Sequence, residues 1–407
     1  MKVLFAGTPG VGKRVALENL LHAIQTSFPR ERPVFTVREP DGTSRVPVLD
    51  HFLYGQHPLT FLQLAQESQR QKWREEFARL RSQFRTAPTD HHFLGVHLTF
   101  RFEQIPSCVV SFKDLIDWKP DCIVTFIDDV YCVRARIHKG EYTAFTLPEL
   151  TLWRAEEILV GDLLAQVINP ISPPPNYVVA VKHPAEMLAR LLMQPQTARI
   201  YISHVISEAR KDDRSREVID EFRKRLRKQQ NCAVFEPLTI DELPPLLSIP
   251  RTSGLRGNFR YDASNPKHRW PFLDPTGALA NDEDLRPRYP LLIPYHELKD
   301  ARRAIEAQIT RRDIRLVDQS HCLIIYRPTL TGDRILSAGV HAEMSHALDT
   351  GRRIIWYLKK GEDPPLGSPF LPKSTGDNPD FIYERDEGKL WARIAEVNHK
   401  GLDNFLR

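Results

Sequence analysis

Cysteine is scarce in this chain of 407 residues, and the five cysteines do not group: Cys108, Cys122, Cys132, Cys232 and Cys322 are far apart and form no CxxC pair. Neither a disulfide framework nor a cysteine zinc site is expected, and a reducing compartment is. No run of roughly 18 apolar residues occurs, so no membrane-spanning helix is expected. The opening MKVLFAGTPG passes into an apolar run and a glycine loop without the plan of a signal peptide, and the expected location is cytoplasmic. Internal repeats and low-complexity tracts are missing too. A dominant charge is also lacking: net charge +5, with 27% charged and 41% hydrophobic residues, is ordinary for a globular protein. That balance excludes a nucleic-acid-binding tail, while pockets of basic residues would suit anionic small molecules such as phosphates. At about 100 to 200 residues per domain, the length allows two or three domains and excludes one small one.

What is present is an alternation of short apolar runs with helical spacing. Lys2 to Ala6 (KVLFA) leads through GTPGVGKR into apolar residues at helical spacing from Val15 to Ile24. This is the pattern strand, glycine loop, helix. Further strands are expected at Val34–Val37, Phe93–Phe100, Cys122–Ile127 and Tyr177–Val181, and helices at Thr60–Phe84 and Leu147–Val167. Such alternation predicts a parallel sheet covered by helices. The pattern restarts near residues 191–197, with strands at Arg199–Ile202, Ala233–Phe235, Cys322–Tyr326 and Arg353–Tyr357. Helical spacing lies between them at Asp213–Lys228, His296–Thr310 and Gly339–Leu348. The expected domains are residues 1–192 and 198–407, the second with an insertion at about 244–294 that is dense in Pro, Arg, Asn and Asp. Within it, Asn265-Pro266-Lys267-His268-Arg269-Trp270 offers cations and an aromatic ring as a candidate lid.

Gly7-Thr8-Pro9-Gly10-Val11-Gly12-Lys13 matches GxxxxGK. Gly7, Gly10 and Gly12 let backbone N–H groups curl around phosphate oxygens, and Lys13 reaches the outer phosphates. The GxPGxGK form resembles the adenylate-kinase-like group of nucleoside and nucleotide kinases, over about the first 190 residues. The resemblance implies ATP or another NTP bound at Gly7, Gly10, Gly12, Lys13 and Arg14, and raises Mg2+ as its companion. Two departures bear on that metal. Those kinases place a hydroxyl residue directly after the lysine or one position later, where this chain has Arg14 and Val15. Their acidic strand motif with Gly-Phe-Pro-Arg is absent, and the nearest stand-ins are Asp128 and Asp129, which can equally just end a strand. Arg134 and Arg136 follow at a spacing resembling phosphate-clamping arginines, or sit on a helix surface; Arg38 in TVREPDG is a candidate for a second phosphate. His91, His92 and His97 show no ligand spacing, and strand alternation sends His92 and His97 to opposite faces, so no metal site is expected there.

In the second half, Arg312 to Ser320, the run CLIIYRP, and Ser337-Ala338-Gly339-Val340-His341-Ala342-Glu343 read as helix, buried strand, small-residue turn, helix. Such a turn at the carboxyl end of a strand is where open α/β sheets bind ligands. Ser337 and Gly339 offer a hydroxyl and backbone N–H groups at a helix N-terminus, and Glu343 adds a carboxylate beside that anion site. The arrangement resembles the nucleoside 2-deoxyribosyltransferase family and its relatives that hydrolyse the N-glycosidic bond of deoxynucleoside monophosphates, over about Ala198 to Leu358. The resemblance implies a flavodoxin/Rossmann-like domain in which Tyr201 of RIYIS matches an early strand tyrosine, Asp313 the acid near base and sugar, and Glu343 the nucleophile. Transferases of the family usually carry aspartate where Ser337 stands, and the hydrolases carry serine for the 5′-phosphate, so the implied substrate is a nucleotide. Arg210 falls where those hydrolases hold an arginine near phosphate, with Lys211 and Arg214 competing for the role. Relatives often complete their sites across subunits, which implies a homo-oligomer.

The residue types suit this chemistry by themselves. An oxocarbenium-like state is stabilised and trapped by a nearby carboxylate, and the departing base takes a proton from a second carboxyl group. The inert alternative makes Glu343 a helix-terminal glutamate and Asp313 a helix-face aspartate. The expected fold class is therefore α/β, a P-loop kinase-like parallel-sheet domain followed by a deoxyribosyltransferase-like one. Three functions stay open: N-glycosidic cleavage or deoxyribosyl transfer on a (deoxy)nucleotide with NTP binding or phosphoryl transfer by the first domain; a nucleoside or nucleotide kinase with a ligand-sensing second domain; and an NTP-gated effector hydrolysing nucleotides or NAD. Nucleotides are the expected partners, and membranes and specific nucleic acids are not.

Overall fold

Strands buried on both faces read as continuous apolar runs, and they pair in parallel. A computed structural model of the chain describes residues 1–29, 34–38, 42–54, 58–102, 105–137, 145–204, 206, 213–229, 232–250, 257–262, 291–326, 337–358 and 381–400. It is an α/β structure with two parallel sheets. No helix among the described residues is long and apolar enough to cross a membrane.

The first sheet has the order β2-β1-β3-β4, all parallel, from β1 (Lys2–Ala6), β2 (His92–Gly95), β3 (Cys122–Ile127) and β4 (Asn176–Ala180). Around it lie α1 (Lys13–Ser27), α2 (Gln66–Thr86), α3 (Val130–Ile137) and α4 (Leu147–Ile168). The polar helix α2 belongs to the fold because Trp73, Phe77, Leu80 and Phe84 recur every three or four residues as one buried stripe. Trp73 stacks on Phe77 with ring centroids 5.0 Å apart. Helix α4 starts where Thr146 and Glu149 form a capping box, with proline in the first turn. Three expected elements differ: the strand over Phe93–Phe100 stops at Gly95, and Phe100–Phe102 pairs antiparallel with Ile105–Ser107. The helical spacing over Thr60–Phe84 is broken into Pro58–Leu62 and Gln66–Thr86. Of Val34–Val37, only Val34 bridges His91, and Val37–Arg38 pairs antiparallel with Ser44–Arg45.

The second sheet begins after α5 (Ala185–Met193) and has the order β6-β5-β7-β8-β9, again all parallel. Its strands are β5 (Ala198–Ser203), β6 (Cys232–Phe235), β7 (Cys322–Tyr326), β8 (Arg353–Tyr357) and β9 (Phe381–Glu384), with helices α6 (Asp213–Arg227), the part of α7 (Tyr295–Asp318) from Ile309 onward, α8 (Ala338–Asp349) and α9 (Glu387–Lys400). In chain order this is 2-1-3-4-5, a doubly wound arrangement whose winding reverses between its first and third strands, β5 and β7.

The chain forms two compact units. One holds Met1–Lys182 and the described residues from Ile240 to Gln308; the other holds His183–Thr239 and the described residues from Ile309 onward. The division thus falls before α5 and not at 192, because His183 accepts the Glu236 N–H (3.3 Å) and Arg190 of α5 bonds the Arg227 carbonyl (3.4 Å). The described parts of the 244–294 segment join the first unit and not the second: Tyr261 lies with its ring 4.9 Å from that of Tyr131. That ring belongs to the antiparallel pair Asn258–Tyr261 and Leu291–Pro294. Residues 263–290, with the candidate lid, lie outside the described residues.

Candidate functional site

The first unit places its glycine loop between β1 and α1. Gly10 (φ 73°) and Gly12 (φ 93°) occupy the left-handed region, and at Gly10 a Cβ would stand 2.6 Å from Ile137 Cγ1. Side chains are excluded there by conformation and by space. Gly7 also has a positive φ (146°), and a Cβ on it would meet the Phe126 carbonyl oxygen at 2.8 Å. Lys13 is buried and donates to the carbonyls of Gly7 (2.6 Å) and Val96 (2.7 Å), with Asp50 Oδ2 3.6 Å away. Burial lowers the Lys13 pKa, against the pull of Asp50 and Glu157. Burial likewise pushes the Asp50 carboxyl up to about 6, against Lys13. Glu157 of α4 ties the loop to the segment after β2: its carboxylate accepts from the N–H groups of Gly7 (3.0 Å), Leu98 (2.8 Å) and Thr99 (2.9 Å) and from the Thr99 hydroxyl (2.6 Å).

Arg136 reaches back to the loop. One nitrogen donates to the carbonyls of Gly10 (2.8 Å) and Val11 (3.0 Å), the other to Asp128 Oδ2 (2.6 Å). Arg134 pairs with Glu297. Neither arginine is a surface residue of α3, their side chains being only 8% and 11% exposed. Arg14 is half-exposed and bonds Glu18 (3.2 Å). Arg38 is exposed in its two-residue strand opposite Ser44. His92 stacks on Phe84 (5.0 Å), and His97 Nε2 lies 3.5 Å from Asp50 Oδ2. Asp128 and Asp129 do more than end β3. Lys182, directly after β4, brings its ammonium 2.5 Å from Asp128 Oδ1 and 2.5 Å from Asp129 Oδ2, and Cys132 Sγ is 3.6 Å from it.

The second unit builds a carboxylate site at its winding reversal, the crevice where such sheets take ligands. Tyr201 and Ser203 are two residues apart on β5 and therefore share a face. Tyr201 donates to Glu343 Oε1 (2.8 Å) and Ser203 to Glu343 Oε2 (2.5 Å). Glu343, on the second turn of α8, is buried, and burial raises its pKa, with Asp313 adding repulsion. The two hydroxyls and Arg312 pull the other way. Burial drives the Tyr201 phenol well above its ordinary value, so it stays a donor. Asp313 accepts from Arg312 Nε (3.0 Å) and lies near the end of α7. Ser337 is the N-cap of α8, its Oγ accepting the Val340 N–H (3.3 Å). Gly339 is exposed, with open space where a Cβ would be.

No protein-family model and no curated protein matches the chain.

Tyr201, Asp313 and Glu343 are thus brought together, with Ser337 and Gly339 opening the helix that carries Glu343. Arg210 and Lys211 lie outside the described residues. Arg214 stands in the first turn of α6. Ser203 has no role in the sequence pattern, although its two-residue spacing from Tyr201 on a strand places both on one face. Asp50, Glu157 and Lys182 were missed as well. For Glu157 a signal existed: Leu150, Arg154, Glu157, Gly161 and Leu164 are the buried stripe of α4, and two charges in such a stripe call for partners.

Proposed function

We propose that the second unit breaks the N-glycosidic bond of a (deoxy)nucleotide and that the first binds a nucleoside triphosphate. The observation that carries the reading is the buried Glu343 carboxylate fixed by two hydroxyls of one strand, with a second carboxyl, Asp313, close enough to perturb it. Ionised Glu343 attacks the anomeric carbon as the carbon–nitrogen bond breaks, and the bonding pair leaves on the base, which takes a proton from Asp313. Water or an incoming base then displaces the glutamate from the sugar ester, completing hydrolysis or transfer. Two neighbouring carboxyls share protons as a pair, so the proton that one must lose is the one that the other must hold.

Incubation of the protein with a panel of nucleotides and nucleosides, with separation of free base, tests the reading; absence of base release from every substrate refutes it. A second reading is favoured by one observation, Arg14 and Val15 where a metal-binding hydroxyl would stand. In that reading the triphosphate is not a phosphoryl donor but gates the glycosidase. Base release that rises with triphosphate, without loss of its γ-phosphate, distinguishes gating from phosphoryl transfer.

Substrate choice follows from Ser337. Alanine there would remove both a phosphate ligand and a helix cap, whereas aspartate keeps the cap and adds a charge that repels phosphate. Ser337→Asp is therefore expected to leave the melting temperature nearly unchanged while shifting the rate ratio from nucleotides toward the matching nucleosides. An unchanged ratio would remove Ser337 from the phosphate site.

The pH profile follows from Glu343. With its carboxyl raised to about 8, kcat/KM is expected to climb as pH rises toward that value, because the nucleophile must be ionised. Ser203 donates to the carboxylate and so holds this pKa down. Ser203→Ala is expected to move the same limb to higher pH, measured from the pH dependence of base release.

A further inference from the structure

The acidic pair at the end of β3 has the place and donor count of a divalent-cation site beside the loop after β1, its neighbour in the sheet. Asp128, Asp129 and Cys132 bring one donor atom each within 4.8 Å of one another. As a trio the donors do not fit Mg2+, a hard ion that takes oxygen ligands at about 2.0 to 2.1 Å in near-ideal octahedral geometry, so only the two carboxylates could hold it. Cys132 supplies a sulfur, and burial pushes its thiol up to about 11, which keeps it protonated. The position between the two carboxylates is filled by the chain itself: the Lys182 ammonium bridges them at 2.5 Å each. Arg136 supplies a second cation, joining Asp128 to the carbonyls of Gly10 and Val11. Two carboxylates and two organic cations cancel. A divalent ion added to the same oxygens would have to expel the ammonium or sit against it.

We infer that Lys182 takes the cation position beside the glycine loop, so that the first unit binds a nucleoside triphosphate without Mg2+. The nucleotide part of this inference rests on the reading of the loop given above. The agreement of two separate features supports it: the loop has no hydroxyl at positions 14 and 15 to hold a metal, and the acidic pair is already neutralised by a lysine.

Two titrations of the full chain test it. In the first, a fluorescent ATP analogue is titrated in Mg2+ and again in excess chelator. Equal affinities are expected; weakening by about tenfold or more in chelator, which is 1.4 kcal/mol, overturns the inference. In the second, Mn2+ is titrated without nucleotide and followed by electron paramagnetic resonance. Wild type is expected to leave Mn2+ free in solution, whereas Lys182→Met, which empties the position while keeping the side chain's length, takes up one ion per chain. Lys182→Arg, which keeps the charge, is expected to bind none. Stoichiometric uptake by wild type overturns the inference, and so does a folded Lys182→Met that binds none. Failure to bind the ATP analogue under either condition refutes the nucleotide reading of the loop, and the Mn2+ titration still decides whether Lys182 holds the cation position.

Discussion

Glu343→Gln is expected to lower base release at least about a thousandfold while substrate still binds, because the change keeps the shape and removes the negative charge and the nucleophile. The glutamine carbonyl oxygen can still accept from one of the two hydroxyls, Tyr201 or Ser203, but its amide nitrogen cannot accept from the other. A modest cost in stability follows, far smaller than the kinetic effect. The contrast between rate and binding, measured by single-turnover base release and by equilibrium titration, is the signature. Equal rates in wild type and variant would end the mechanism. Asp313→Asn is expected to slow poor leaving bases more than good ones, since its work is at the base. A slow 2-fluoro sugar analogue should leave a sugar ester on Glu343, detectable by mass spectrometry, if the carboxylate bonds to carbon.

The largest expected effect on stability lies elsewhere in the second unit. Glu236, fully buried just after β6, accepts from Arg223 Nε (2.7 Å) and from Arg227 Nε (2.5 Å) and Nη2 (2.8 Å). Neutralising the acid takes their shared counter-charge from two buried guanidiniums, of which Arg223 keeps Asp220 (2.9 Å), and breaking a buried pair in this way costs about 3 to 5 kcal/mol. Glu236→Gln is expected to lower the melting temperature by on the order of 10 °C. The pH dependence has a definite sign. Burial alone would raise the Glu236 pKa, but Arg223 and Arg227 override it and hold the carboxyl far below its ordinary value. Its contribution is therefore present above the unfolded value, about 4.3, and is lost as pH falls from there toward the depressed folded value. Wild type should lose stability in that acid range more steeply than the glutamine variant, measured by thermal melts across pH.

The strands that the sequence locates most sharply are those whose apolar runs end abruptly. Cys122–Ile127 and Arg353–Tyr357 occur with the boundaries read from the chain. The stretch from Val34 does not act as one strand because its two ends pair with different neighbours, Val34 bridging His91 and Val37–Arg38 pairing with the local Ser44–Arg45. In the second unit Tyr201 and Glu343 are singled out through the family resemblance, and they meet because β5 and the helix after β7 flank the winding reversal. The surroundings of the loop are not legible in the sequence. Glu157 meets Gly7 from 150 residues away and Lys182 meets Asp129 from 53, and no local pattern announces such pairs.

Glu242 has a consequence for how the protein is made. Its carboxylate takes two bonds from Arg154 (2.7 and 3.1 Å) and one from the Val130 N–H (2.8 Å), donors that lie 88 and 112 residues earlier in the chain. On a ribosome, every strand of the first sheet emerges before this acid does, and β5 and β6 of the second sheet emerge in between. Domains generally fold as units, the N-terminal one first during synthesis, but here the earlier unit waits with a guanidinium lacking its counter-charge. A nascent chain stalled after Ala180 should therefore be protease-sensitive, and protection should appear only once Glu242 has left the exit tunnel.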